Sequence, residues 1–257
     1  MIHHTEAYSR LKIQAEELFN FAVVVCYAVP SLKAQVSAIK QGKIGPNLPK
    51  PDYFEDDKTP PEGIQQRTAN YKLSLAHYTI ISSFSFFEAY IKGVVRELIK
   101  FHGGDERFIA NAERGAKKFL FSDISDIREH KHKLQELPKK GKGDKYVKHS
   151  KELLNAGYRF PSQLLSPYGV RAIIKTLKNL RSADIPELLM DGFYFSLDKE
   201  GFDKIRQYRN NIAHGDKDKV KDISLKDAIE FNTELRNIAT RFDQHLVEHF
   251  FIIEEFI

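Results

Sequence analysis

The chain has 257 residues, 42% hydrophobic and 29% charged, with 19 Phe, 11 Tyr and no Trp. That is long enough to bury a substantial core, as one large helical domain or two small ones. A net charge of +5 is too mild to imply nucleic-acid binding unless the cations are clustered. The single cysteine, Cys26 in an apolar run, excludes an internal disulfide and a cysteine-based zinc site, and it favours a reducing cytoplasm.

In chain order, apolar spacing predicts helices over residues 5–28 and 31–40. The most apolar stretch, residues 18–29, is shorter than the ~20 residues a bilayer span needs. Glu16 and Glu17 stand where a signal peptide would carry positive charge, so neither a membrane span nor a secretion signal is expected. Residues 42–61, rich in Pro, Gly and acids, read as a loop. A long helix is predicted over 65–101, where Leu73, His77, Ile80, Phe84, Phe87, Ile91, Val94 and Leu98 recur in steps of four and three. Gly103 and Gly104 stop it. His77 on this stripe reads as a satisfied core or interface histidine. Shorter helices are predicted over 105–120, 146–156, 170–181 and 186–190, with 193–195 as a short extended piece. Phe202, Ile205, Arg209 and Ile212 mark the next helix. Ser224 with Asp227 resembles a capping box, opening a last helix striped by Phe231, Leu235, Ile238 and Phe242. No period-two alternation lasts long enough for a sheet, and the class is all-α.

Residues 128–151 hold nine Lys or Arg against three acids. Lys139, Lys140, Lys142 and Lys145 in this glycine-broken run form a candidate RNA-steering patch; a solvated loop has the same composition. Glu88 and Lys92 are spaced as a surface ion pair, or Glu88 supports a functional cleft. His130, His132 and His149, and His245 with His249, invite a metal reading, but no Glu follows the first histidine of the i, i+4 pair and no third ligand is apparent, so no metal site is expected. Nor is a cofactor: no glycine-rich phosphate loop, serine elbow or paired-carboxylate pattern is present.

The richest chemistry lies in Arg209-Asn210-Asn211-Ile212-Ala213-His214-Gly215. Arg209 shares the apolar stripe of its helix, a costly place for a cation unless a carboxylate, an anion or a cleft meets it. Its planar fork suits phosphate. His214, five residues on, lies about 140° around an ideal helix. Gly215 is a helix-ending signal that frees the chain there to re-aim the imidazole. A histidine titrating near neutrality can act as general acid or base. Asn210 stands one turn before His214, on its face, and Asn211 completes the polar run.

This string resembles the Arg-x4–6-His motif of HEPN domains, in particular the RiboL-PSP type. Ser85-Phe86-Phe87-Glu88-Ala89-Tyr90-Ile91 is similar to the long early helix of such proteins, and Ser166-Pro167-Tyr168-Gly169-Val170 to the segment before their motif helix. The resemblance implies an antiparallel helical bundle over residues 61–257 with an insertion around 105–165 that carries the basic loop. Residues 1–60 would add N-terminal helices and the Pro-rich loop. It further implies a metal-independent endoribonuclease that works as a cytoplasmic homodimer on RNA, in a toxin or anti-phage setting under an antitoxin or other regulatory partner. Arg209 and His214 would be the catalytic pair, with Asn210, Asn211 and Glu88 in support. The alternative is a non-catalytic HEPN-like module that binds a partner protein, a nucleotide or RNA.

Overall fold

Helices lie in each segment with helical apolar spacing in the structure, a computed structural model that describes residues 3–45, 48, 61–117, 125–135 and 143–253. Among these residues there is no strand, and the expected all-α class is the one found. In chain order the helices are α1 (Glu6–Lys40), α2 (Pro61–Arg67), α3 (Tyr71–Phe101), α4 (Asp105–Lys117), α5 (Ser125–Gln135), α6 (Gly143–Asn155), α7 (Pro167–Lys178), the single turn α8 (Ile185–Glu187), α9 (Lys199–Ala213), α10 (Lys217–Val220) and α11 (Leu225–His249). The chain divides into two units: Met1–Lys12, Ser85–Arg206 and Glu234–Ile257 form the first, Ile13–Phe84 and Gln207–Thr233 the second.

In the first unit, Phe87, Ile91, Val94 and Leu98 of α3 are fully buried, as are Phe108, Phe160, Phe193, Phe202, Phe242 and Phe250. The rings interlock edge to face: Phe193 lies 5.5 Å from Phe242 and 5.4 Å from Phe250, within the range where aromatic pairs gain beyond their area. Thr5 caps α1 by accepting the Tyr8 N–H at 3.1 Å, and its hydroxyl donates to the buried Asp243 carboxylate at 2.5 Å. Asn111 of α4 donates to the Ser162 hydroxyl at 3.0 Å in the core. Gly115, one turn further along α4, lies so close to the Gln163 carbonyl that no Cβ would fit between them.

His102 follows α3 and is buried, stacked on Phe108 at 4.9 Å between ring centroids. A carbonyl only accepts, so Nε2–H is the donor to Phe250 O at 2.9 Å. Burial pushes the His102 pKa down from 6.5 to about 4, against the opposing pull of that hydrogen bond. The unfolded chain therefore takes up this proton near 6.5 and the folded chain only near 4. Stability is expected to be full above pH 6.5 and to fall by about 3 kcal/mol as the pH drops towards 4. Urea midpoints measured across that range check this; His102→Gln, which keeps a donor but not the titration, should flatten the slope. Part of the slope should persist, because burial also lowers the pKa values of His149, His245 and His249.

In the second unit, Ala76 and Ile80 of α3 pack with Ile223 and Ala228, and Leu73, Tyr208, Ile212, Leu225 and Phe231 close around them. His77 is half-buried, its Nε2 3.4 Å from Val220 O. The capping box forms as expected: the Ser224 amide donates to Asp227 at 2.9 Å, and the Asp227 amide donates to the Ser224 hydroxyl at 3.2 Å.

Three expectations need correction. The N-terminal helices are one, because α1 continues through Pro30. Proline costs a helix one N–H donor but has a helical φ, so the helix runs on through it. The helix predicted from residue 65 is divided instead, α2 ending before α3 begins. The Thr68 hydroxyl donates back to Ile64 O and Gln65 O, offering the backbone an alternative to continuing. Residues 193–195 are not extended: Tyr194 has φ +57°, and this left-handed residue allows three consecutive rings all to be buried, which strand alternation would forbid.

Candidate active site

The sequence before α9 sets up its start. The Asp198 carboxylate accepts the Gly201 N–H at 3.1 Å, an N-cap interaction, and the lack of a side chain at Gly201 leaves that carboxylate its space. Phe202 and Ile205 then bury the first half of the helix, with Phe202 5.9 Å from Phe87. In the second half, Tyr208 rests 5.5 Å from Phe231, and Ile212 packs on the Ala76–Ile80 core.

Arg209 is half-buried. Its guanidinium carbon lies 5.5 Å above the Phe84 ring, a cation–π arrangement. Nη1 donates to Asn210 Oδ1 at 3.0 Å. A guanidinium has donors only, so the neighbouring amide turns its oxygen towards it. The stripe position that made Arg209 suspect is thus occupied by an aromatic face and an amide. By sequence Phe84 is one more core position of the α3 stripe; its role as the ring under the guanidinium depends on a contact 125 positions away in sequence, which no local pattern announces.

His214 closes the helix. Its N–H donates to Asn210 O at 2.9 Å, the Gly215 N–H to Ile212 O at 3.1 Å and the Asp216 N–H to Asn211 O at 2.9 Å. With Gly215 at φ +77°, this is the Schellman ending that the glycine predicts. The helical register holds through His214 and breaks only after it, so its backbone still lies about 140° around the axis from Arg209. The imidazole is exposed, and among the described residues its ring makes no hydrogen bond or ion pair. One helix end therefore presents a braced guanidinium and, on a different side, an imidazole open to solvent. Asn211 is half-buried beside them.

The other candidates distribute differently. Glu88 is half-buried in the part of α3 that belongs to the first unit. Lys139, Lys140 and Lys142 lie outside the described residues, and Lys145 belongs to α6, so the basic run is helical from Gly143 onward and not a loop there. His130 and His149 meet, Nδ1 to Nδ1 at 2.8 Å; one ring must donate and the other accept. His245 Nε2–H donates to Phe193 O at 2.7 Å. Among the described residues no three His, Cys, Asp or Glu side chains gather as metal ligands. A cleft of about 610 Å³ in the first unit is lined by Ile99, Ile174 and Leu177 together with Arg96, Lys100, Lys178 and Asp105.

No curated protein and no solved structure matches the chain. A family model, RiboL-PSP-HEPN, matches residues 53–248, a span that takes in α3, α9 with its motif, and most of α11. With helices throughout, an Arg–His motif on a glycine-closed helix end and a match over most of its length, the chain belongs to the RiboL-PSP-HEPN family, whose domains point to a nuclease or RNA-related role.

Proposed function

We propose that this protein is a metal-independent endoribonuclease that uses Arg209 and His214. One observation carries the reading: an imidazole exposed and without a ring partner among the described residues ends the helix on which a guanidinium is braced by Phe84 and Asn210. In the proposed reaction His214 takes the proton from a ribose 2′-hydroxyl. The 2′-oxygen bonds to the adjacent phosphorus as the bond from phosphorus to the 5′-oxygen breaks. The leaving 5′-oxygen receives a proton, and Arg209 offsets the charge that builds on the phosphoryl oxygens. The products are a 2′,3′-cyclic phosphate and a 5′-hydroxyl. Because Arg209 and His214 diverge around α9, the working form is a homodimer in which a second motif supplies the complementary acid. Asn210 braces the arginine, Asn211 supports the site, and Lys139, Lys140, Lys142 and Lys145 steer RNA through salt-dependent attraction.

The setting belongs to the same proposal and rests on the family resemblance: a cytoplasmic toxin or anti-phage effector held in check by an antitoxin or similar partner. Purified protein is expected to cut RNA in EDTA and to leave cyclic phosphate ends. An otherwise identical RNA with a 2′-deoxy sugar at the cut position should resist. Equal cleavage of the two would rule out the 2′-hydroxyl mechanism, and toxicity on expression that survives both Arg209→Ala and His214→Ala would rule out the effector reading.

A further inference from the structure

The cleft of about 610 Å³ lies wholly within the first unit, where the ends of α3 and α7 meet the start of α4. Its volume falls in the range of ~300–1,000 Å³ that small-molecule sites occupy. None of its lining residues belongs to α9 or to the Arg209–His214 motif.

The cleft carries positive charge that the described residues leave unanswered. Arg96, Lys100 and Lys178 are exposed, and among the described residues they make no hydrogen bond or ion pair. Lys100 and Lys178 stand in the last turns of α3 and α7, where a cation answers the helix dipole. Arg96 lies more than a turn before the end of α3, and no helix end accounts for it. Asp105 is the one acid among the described residues of the lining. It stands in the first turn of α4, where the dipole already favours it. Gly104 accepts the Phe108 N–H at 2.9 Å but has no side chain to cap α4, whose first N–H groups have no partner within the helix. Beside the cations the lining is aliphatic, with Ile99 and Ile174 buried and Leu177 half-buried. No aromatic side chain takes part among the described residues.

We infer that this cleft binds a phosphate monoester with a short aliphatic body. The planar fork of Arg96 can hold two phosphate oxygens at once. Lys100, Lys178 and the first amides of α4 add donors for the same charge. A phosphate monoester carries close to two negative charges near neutrality, which balances three lining cations set against one acid; a carboxylate would supply only one. Ile99, Ile174 and Leu177 then take the aliphatic part, whose transfer from water adds to affinity. RNA fits less well. Proteins grip single strands through aromatic rings stacked on the bases, this lining offers none, and the Asp105 carboxylate repels a run of phosphates.

The inference is read as binding without RNA, so it stands or falls separately from the chemistry of the motif. Octyl phosphate, titrated calorimetrically into the full chain, should bind at least about ten-fold more tightly than inorganic phosphate or adenosine monophosphate, a margin that two buried methylenes supply. Arg96→Gln should weaken it about ten-fold at an unchanged thermal midpoint, because Arg96 is exposed and holds nothing together. Arg96→Lys should weaken it less, and Leu177→Ala should narrow the margin over inorganic phosphate. Phosphatidylcholine vesicles carrying phosphatidic acid separate two sources of such a phosphate. Co-sedimentation that Arg96→Gln abolishes assigns it to a lipid, and octyl phosphate binding without co-sedimentation assigns it to a soluble molecule. No binding at millimolar concentration, binding indifferent to Arg96→Gln, or equal binding of inorganic phosphate or adenosine monophosphate would overturn the proposal. So would a 2′-deoxy oligonucleotide that binds more tightly than octyl phosphate and loses that binding in Arg96→Gln.

Discussion

Alanine at position 214 is expected to slow RNA cleavage by about a hundred- to ten-thousand-fold, the usual loss when a general acid or base is removed. The fold should hardly notice. The imidazole is exposed, its ring has no partner among the described residues, and the helix-ending hydrogen bond comes from the His214 amide, which alanine keeps. Unchanged helicity and thermal midpoint beside a collapsed rate would therefore locate the effect in chemistry. Arg209→Ala should cost about a hundred- to thousand-fold, the scale on which a charge stabiliser of the transition state is missed. It should also cost about 1 kcal/mol of stability, since the guanidinium lies over Phe84. Arg209→Lys keeps the charge without the planar fork and should recover only part of the rate. A folded His214→Ala protein that cleaves at the wild-type rate leaves the proposed mechanism without its base.

The second large effect is structural and lies far from the motif in sequence. Gly115→Ala is expected to destabilise the first unit by about 3 kcal/mol or more, in the range reserved for core overpacking and backbone displacement. Helix α4 meets the segment Ser162–Leu164 with nothing but backbone at this point, and the atom a new methyl would strike is the Gln163 carbonyl oxygen, which cannot swing away as a side chain would. Pushing the segment off would also part the buried Asn111 amide from the Ser162 hydroxyl, breaking a hydrogen bond in the core. A drop of many degrees in the thermal midpoint is the expected result. Gly104→Ala is the control: it has open space around it, and only its φ of +94° is strained by a side chain.

The parts of the fold that could be read from sequence are those set within a few residues. The stripe of α3, the stop at Gly103 and Gly104, the reciprocal cap of Ser224 and Asp227 and the left-handed Gly215 all follow from local stereochemistry. The parts that could not be read depend either on local options that a sequence leaves open or on what lies across the fold. Pro30 ends a helix in most sequences, and here it does not. Thr68 is an ordinary helix residue until its hydroxyl turns back on the chain. Tyr194 adopts a glycine-like backbone because burying three neighbouring rings outweighs the strain. The motif was legible as a set of residue types, and its glycine-closed end followed. What braces Arg209 was not, because Phe84 looks like any other member of an apolar stripe.

The Phe202–Phe87 contact has a bearing on the motif. Phe202 and Arg209 are seven residues apart on one continuous helix, two turns, so they share an azimuth to within about 20°. Along the helix itself the two side chains keep a fixed angular offset. Adding or deleting a single residue between positions 202 and 209 would change that offset by about 100°. Length variation on either side of that interval can be absorbed by the turns at Asp198 and Gly215, but within it every residue is a fixed step of rotation.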